Sequence, residues 1–354
     1  MITSDNMITG DNTILQEAIV HRVGSKASGE GMLLSAAPLS VSSETGDLLL
    51  RYFLSPFKGQ EYYNLPREGD AAAPSVAYGC ICAIFDNPDT LTEQSAALAK
   101  HLYEQGSGAK VKGGDFFVAY LKGCMLDGEA LDAVGLFKSE NQEAFLKVFP
   151  RGESFDVSAD SGISISKMDR GCLVFNAERE NGFLVAIAGS SRSAGEEQYW
   201  TDCFLNAVQR KDDFFRTQQA ISLCKNFVTQ RLPETFEVTK ADQADMLNKS
   251  VNFFKGNDSF DADEFAREVI ADPKAIESFK SYRHELDRDS DDKLPERFDI
   301  SEAAVKRQAR ALKSVIKLDK NFHIYVHGKR EYISRGYDEE TGLYFYQLFF
   351  KEEE

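Results

Sequence analysis

The sequence predicts an α+β fold: a mixed, largely antiparallel α/β domain, then a helical region, then a C-terminal β-meander. Three observations carry this reading. The first half strings short apolar runs between Gly-rich turns, the middle repeats apolar residues three and four apart behind capping residues, and the end returns to strands. A chain of 354 residues has room for about two domains, each with its own core. The expected boundaries are a polar leader over 1–13, the N-terminal α/β domain over 14–195, a helical region over 196–286, an acidic connector over 287–300, and a basic helix with strands over 301–354.

Taken in order, AIVHRV and MLLSAAPLSV read as strands joined by the turn GSKASGEG, and ETGDLLLRYFL reads as a helix. SVAYGCICAIF is nearly all apolar and fits a buried helix or a buried strand. TLTEQSAALAKHLYEQG is a helix capped by Thr90 or Thr92 and stopped by Gly106. Gly113-Gly114 opens DFFVAYLKGCML, and Asp127-Gly128 leads to ALDAVGLFK as a hairpin. ISISKMD, GCLVFNAE and GFLVAIAG give three further strands. The stretch EQYWTDCFLNAVQRKDDFFRTQQAISLCKNFVTQRL reads as helical up to Pro233. TKADQADMLNKSVNFFKG, DADEFAREVIA and DPKAIESFKSYRHEL follow as helices, each opening with a capping-type residue or an early Pro. HELDRDSDDKLPERFD carries seven acids against three Lys or Arg and reads as an exposed connector. IKLDKNFHIYVHG, REYISRGY and GLYFYQLFF close the chain as strands, the last two across the turn DEETG.

With 42% hydrophobic and 28% charged residues, the composition is that of a globular protein and not of a disordered one. A net charge of -16 argues against a general polyanion binder, so any nucleic-acid contact must be local. The first residues have neither a basic n-region nor an apolar h-region, and no apolar run approaches the ~20 residues of a membrane helix. Neither a secretory leader nor a membrane partner is expected. Cys80, Cys82, Cys124, Cys172, Cys203 and Cys224 lack framework or zinc spacing, which fits reduced thiols in a cytoplasm.

Motifs for chemistry are weak. GSGAKVKGG has Gly108 and Gly113 at phosphate-loop spacing but Gly114 where the lysine belongs. Asp287, Asp289 and Asp291 alternate like calcium ligands, yet Asp292 replaces the turn glycine and Phe298 the bidentate acid. His323 and His327 have no further Cys or His to complete a zinc set. Ser222 and Lys225 form a Ser-x-x-Lys pair without companion motifs, and the chain contains no Glu-x-Lys of a magnesium nuclease. No catalytic residue, metal or cofactor is expected; His21, His101 and Asp115 are the only hydrolase candidates, and no spacing joins them.

VKRQARALKSVIKLDK, Val305 to Lys320, concentrates six Lys or Arg with one acid. A helix through about Arg310 followed by a strand puts several cations on a shared face. Such a row can follow a phosphate backbone, because distant acids are screened beyond about 8 Å at physiological salt. The candidate nucleic-acid-binding residues are Lys306, Arg307, Arg310, Lys313, Lys317, Lys329 and Arg330. The bland reading of the segment is a solvated face of a packed element.

YWTDCFLNAVQRKDDFF, Tyr199 to Phe215, resembles the bacterial nucleoid-associated protein family of the NdpA type. FFKGNDSFDADEFAREV, DPKAIESFKSY and IKLDKNFHIYV are similar to its C-terminal signatures, and AIVHRV with GDFFVAYL to its N-terminal part. The resemblance runs from about Ile14 to the end. It implies a cytoplasmic protein of the bacterial nucleoid with no established enzyme activity, and some relatives are thought to work with topoisomerases. Two roles are therefore expected. One is weak, sequence-independent contact with double-stranded DNA; the other is an acidic adaptor recruited by a topoisomerase or another chromosome-bound protein.

Overall fold

The computed structural model describes residues 8, 12–57, 59, 61–67, 75–106, 108, 111–126, 128–189, 198–289, 292–308, 315–319, 321–326 and 330–352. They fall into two compact units, Met1–Arg210 and Lys211–Glu354.

The first unit is built on an eight-stranded antiparallel sheet. Its strands are β1 (Ile14–Val23), β2 (Met32–Leu33), β3 (Tyr62–Asn64), β4 (Gly114–Leu126), β5 (Glu129–Ser139), β8 (Arg170–Phe175), β9 (Leu184–Gly189) and β10 (Val208–Gln209), in the order β10-β3-β9-β8-β5-β4-β1-β2. Successive side chains of a strand point to opposite faces, and here both faces are covered. Phe116, Val118 and Tyr120 of β4 enter a core with α2 (Val76–Asp86) and α3 (Leu91–Gln105). Phe117, Ala119 and Leu121 enter a second core with Tyr52 and Phe53 of α1 (Ser43–Leu54). That is why the strand reads as an unbroken apolar run.

Several elements differ from the sequence reading. SVAYGCICAIF is a helix, begun by the Ser75 hydroxyl accepting from the Tyr78 amide. MLLSAAPLSV pairs only through Met32 and Leu33; beyond them the Ser35 hydroxyl donates to Val20 O at 2.5 Å in place of a ladder bond. Thr90 does not cap α3 through its side chain, because its hydroxyl donates to Ala83 O and Asn87 O. ISISKMD is not a strand: the Lys167 amide turns back onto Ser164 O. Instead β6 (Glu143–Arg151) and β7 (Ser154–Gly162) form a hairpin of their own. The long helix expected before Pro233 is broken into a π-helical turn at Tyr199–Phe204, strand β10 at the sheet edge, and α4 (Asp213–Asn226), which the Asp212 carboxylate caps. Helical backbone then runs on from α4 through a π turn, Phe227–Arg231, and a last turn, Leu232–Thr235, so it ends two residues past Pro233.

The second unit packs α4, α5 (Lys240–Gly256) and α6 (Pro273–Asp289) around phenylalanines. Phe260 stacks on Phe254 at 5.6 Å and on Phe298 at 5.1 Å between ring centroids. The segments that carry Phe260 and Phe298 pair as β11 (Ser259–Asp261) and β12 (Arg297–Asp299). The expected acidic connector is therefore structured at both ends, since α6 runs through Asp289 and Phe298 is buried. Its acids are engaged as well: Asp287 accepts from the Leu294 amide and Asp292 pairs with Lys211. The chain ends in two hairpins, β13 (Val315–Leu318) with β14 (Phe322–Tyr325) and β15 (Ile333–Asp338) with β16 (Leu343–Leu348). Ile316, Val326 and Ile333 pack on Ala241 and Ala244 of α5.

Candidate nucleic-acid interface

The basic segment begins on α7 (Glu302–Gln308). Ala304 and Val305 are buried, which turns the next two residues outward. Lys306 keeps 66% of its side chain exposed, and its ammonium is 3.8 Å from Glu302, a surface pair worth about 0–1 kcal/mol. The Arg307 guanidinium lies 5.9 Å from the Phe214 ring centre, which fixes that charge over α4. Arg310 and Lys313 lie outside the described residues, as does Lys329.

Lys317 resumes the segment on β13. Ile316 turns inward to α5, so alternation sends Lys317 to solvent, directly across the register from His323. Val315 faces Tyr325 in the same ladder, and Tyr325 is 58% exposed. Lys317, His323 and Tyr325 thus share one surface, a cation beside an imidazole and a phenol. The sequence reading missed this grouping because IKLDKNFHIYVHG was read as one run; Asp319, at φ 49°, is the signal of the turn inside it.

Arg330 has a different environment from the other candidates. Its Nε donates to Asp242 Oδ1 at 2.5 Å, and its NH1 donates to Ile333 O. Burial raises the Asp242 carboxyl pKa, but hydrogen bonds from Thr239 and Arg330 outweigh it and hold the group below its usual range. Arg330 therefore ties β15 to the first turn of α5, with its charge already matched.

The fold adds one cation that the sequence did not flag. Lys255 joins Lys306 at a groove of about 550 Å³ lined also by Phe254, Ile300, Asp258 and Glu302. Two acids balance the two lysines there, so the groove is locally near neutral.

The hydrolase candidates do not assemble. The Ser35 amide donates to His21 Nδ1 at 3.1 Å, which leaves Nε2–H to donate to Ser95 Oγ at 2.9 Å; that hydroxyl in turn donates to Thr92 O. His21 is a buried structural link with no lone pair to act as a base. His101 Nε2 meets Phe204 O at 3.1 Å, and Asp115 pairs with Arg22 across the β4–β1 ladder. Among the described residues no three His, Cys, Asp or Glu side chains converge as a metal site. Among them, too, no helix is long and apolar enough to cross a membrane.

Residues 19–344 match the protein family described as nucleoid-associated protein YejK. The chain belongs to this nucleoid-associated family. The match takes in the sheet of the first unit, the phenylalanine core of the second and most of the C-terminal hairpins, so both units carry the family's features. No curated protein matches the chain.

Proposed function

We propose that this nucleoid-associated protein is non-enzymatic and makes modest, sequence-independent contacts with duplex DNA through the basic segment. The contacting cations are Lys306, Arg307 and Lys317, with Arg310 and Lys313 between them in the chain. The observation that carries this reading is the outward placement of the described cations at both ends of the segment: buried Ala304, Val305 and Ile316 force Lys306, Arg307 and Lys317 to solvent. Phosphate contact needs exposed cations and no base-reading geometry, which fits binding without sequence preference. Arg330 contributes to this surface by anchoring β15, not by touching phosphate.

The net charge of -16 favours a second reading, in which the acidic surface meets a basic chromosome-bound protein such as a topoisomerase. Charge reversal separates the two. In the DNA reading, Lys306→Glu, Arg307→Glu and Lys317→Glu together abolish the shift of a random duplex. In the adaptor reading, wild type gives no shift, and the protein captures its partner from nuclease-treated extract regardless of these three residues.

A further inference from the structure

The hairpin β6–β7 leaves the first unit as an arm. Its root is clamped: the Asp169 carboxylate accepts from the Glu140 amide at 2.7 Å, the Asn141 amide at 3.0 Å and Asn141 Nδ2 at 2.6 Å. Lys167 adds an ion pair to Glu143 at 2.5 Å. The arm itself is almost wholly exposed and belongs to no described sheet beyond its own two strands.

The register sorts its side chains into two unlike faces. One face carries Phe145, Lys147, Phe149 and Arg151 against Asp160, Ser158 and Asp156, and its charges are paired across the strands, Lys147 with Asp160 at 2.6 Å and Arg151 with Asp156 at 3.0 Å. The other face carries Leu146 opposite Ala159, Val148 opposite Val157, and Pro150 opposite Phe155. No charge lies on it. Leu146 is 71% exposed, Val148 64%, Phe155 69% and Val157 62%. Two strands alone are marginal in water and need a packing partner on their apolar side.

We infer that this face is covered by the same face of a second copy of the chain, giving a two-fold dimer through paired arms. Its relief is self-complementary. The large side chains, Leu146 and Phe155, sit on one diagonal around the central Val148–Val157 pair, and the small ones, Ala159 and Pro150, sit on the other. Any two-fold axis lying in the contact plane through that central pair, along or across the strands, sets each large side chain of one copy over a small one of the other. Charge points the same way: copies with a net charge of -16 repel, and an uncharged face with its neighbours' charges already paired is where they can meet. The patch is on the order of 500 Å² per copy, so a pair buries roughly 1,000 Å², the lower bound of a specific interface. Face-to-face packing of the ribbons makes the interface isologous, as closed dimers require.

The test is the solution mass of the full chain by sedimentation and light scattering over a concentration series. The expected species is twice the 39.5 kDa chain mass, converting to the single chain in Leu146→Asp and in Val148→Asp, while Phe145→Ser on the opposite face stays dimeric. Because the arm lies outside both cores of the unit, circular dichroism should be unchanged in all three. A wild-type protein that is a single chain at every concentration overturns the inference and leaves the face to a different partner. A dimer that survives Leu146→Asp and Val148→Asp also overturns it, and places the contact elsewhere.

Discussion

Phe260→Ala probes the core that holds the basic segment in place. Phe260 is fully buried between Phe254 and Phe298, meets Phe253 edge-on at a centroid distance of 6.1 Å and lies against the tilted ring of Phe265 at 5.8 Å. Phe254 also lines the groove beside Val305 and Lys306, so the ring supports the platform of α7. Truncating such a ring removes the transfer free energy of its carbons and leaves a void that surrounding rings only partly fill, a loss of about 3–5 kcal/mol. With a urea dependence of about 2 kcal/mol per molar, the midpoint should fall by roughly 1.5–2.5 M. Circular dichroism at a helix wavelength reads that transition, and Trp200, the sole tryptophan, separately reports the first unit. A loss below about 1 kcal/mol would refute the view that the phenylalanine cluster is the close-packed centre of the second unit.

Three further outcomes are expected. Burial pushes the imidazole pKa values of His21 and His101 below the usual 6.5, the His101 shift partly offset by its bond to Phe204 O. The unfolded chain then binds protons below pH 6.5 that the folded chain refuses, so stability is full above that value and declines as pH falls through the folded values. Urea midpoints at about pH 7.5 and about pH 5.5, with His21→Asn and His101→Asn flattening the decline, check the sign. Glu140→Gln should destabilise the first unit by about 3–5 kcal/mol in thermal or urea melts, because Lys138, 1% exposed and 3.1 Å from Glu140, is left as a buried cation; adding Lys138→Met should recover part of the loss. Thr239→Ala should cost about 1 kcal/mol by the same melts, since it removes the capping box at the start of α5.

Much of the fold was legible because local chemistry and tertiary demand agree. The Thr239 cap, the unbroken apolar run of β4 between its glycines and the glycine at Gly106 all name their elements directly. SVAYGCICAIF could not be resolved, since it is apolar all round although only Ala77, Cys80, Ile81 and Ile84 are buried, so its composition hides the helical period; the Ser75 cap was the local clue. The β6–β7 arm escaped notice because it contributes to no core, so its exposed apolar residues gave no burial pattern to read. The candidate interface was legible as a charge run, with Lys306, Arg307 and Lys317 exposed beside buried Val305 and Ile316. Two of its features were not, for the same physical reason. Arg330 meets Asp242 across 88 residues of chain, and Lys255 meets the groove of Lys306 only after α5 and α7 have packed, so neither relation exists at the level of sequence neighbours.

The most direct test of the central claim is the salt dependence of binding to a labelled random duplex by fluorescence anisotropy. If Lys306, Arg307, Arg310, Lys313 and Lys317 each neutralise a phosphate, the log–log slope is roughly -4.5, a several-hundred-fold loss between about 50 and about 200 mM salt. Changing all five to Glu should remove the binding, whereas Arg330→Lys should lower stability more than it changes the slope. Absence of binding at about 50 mM salt, or a slope that the five-fold change leaves intact, would contradict the account.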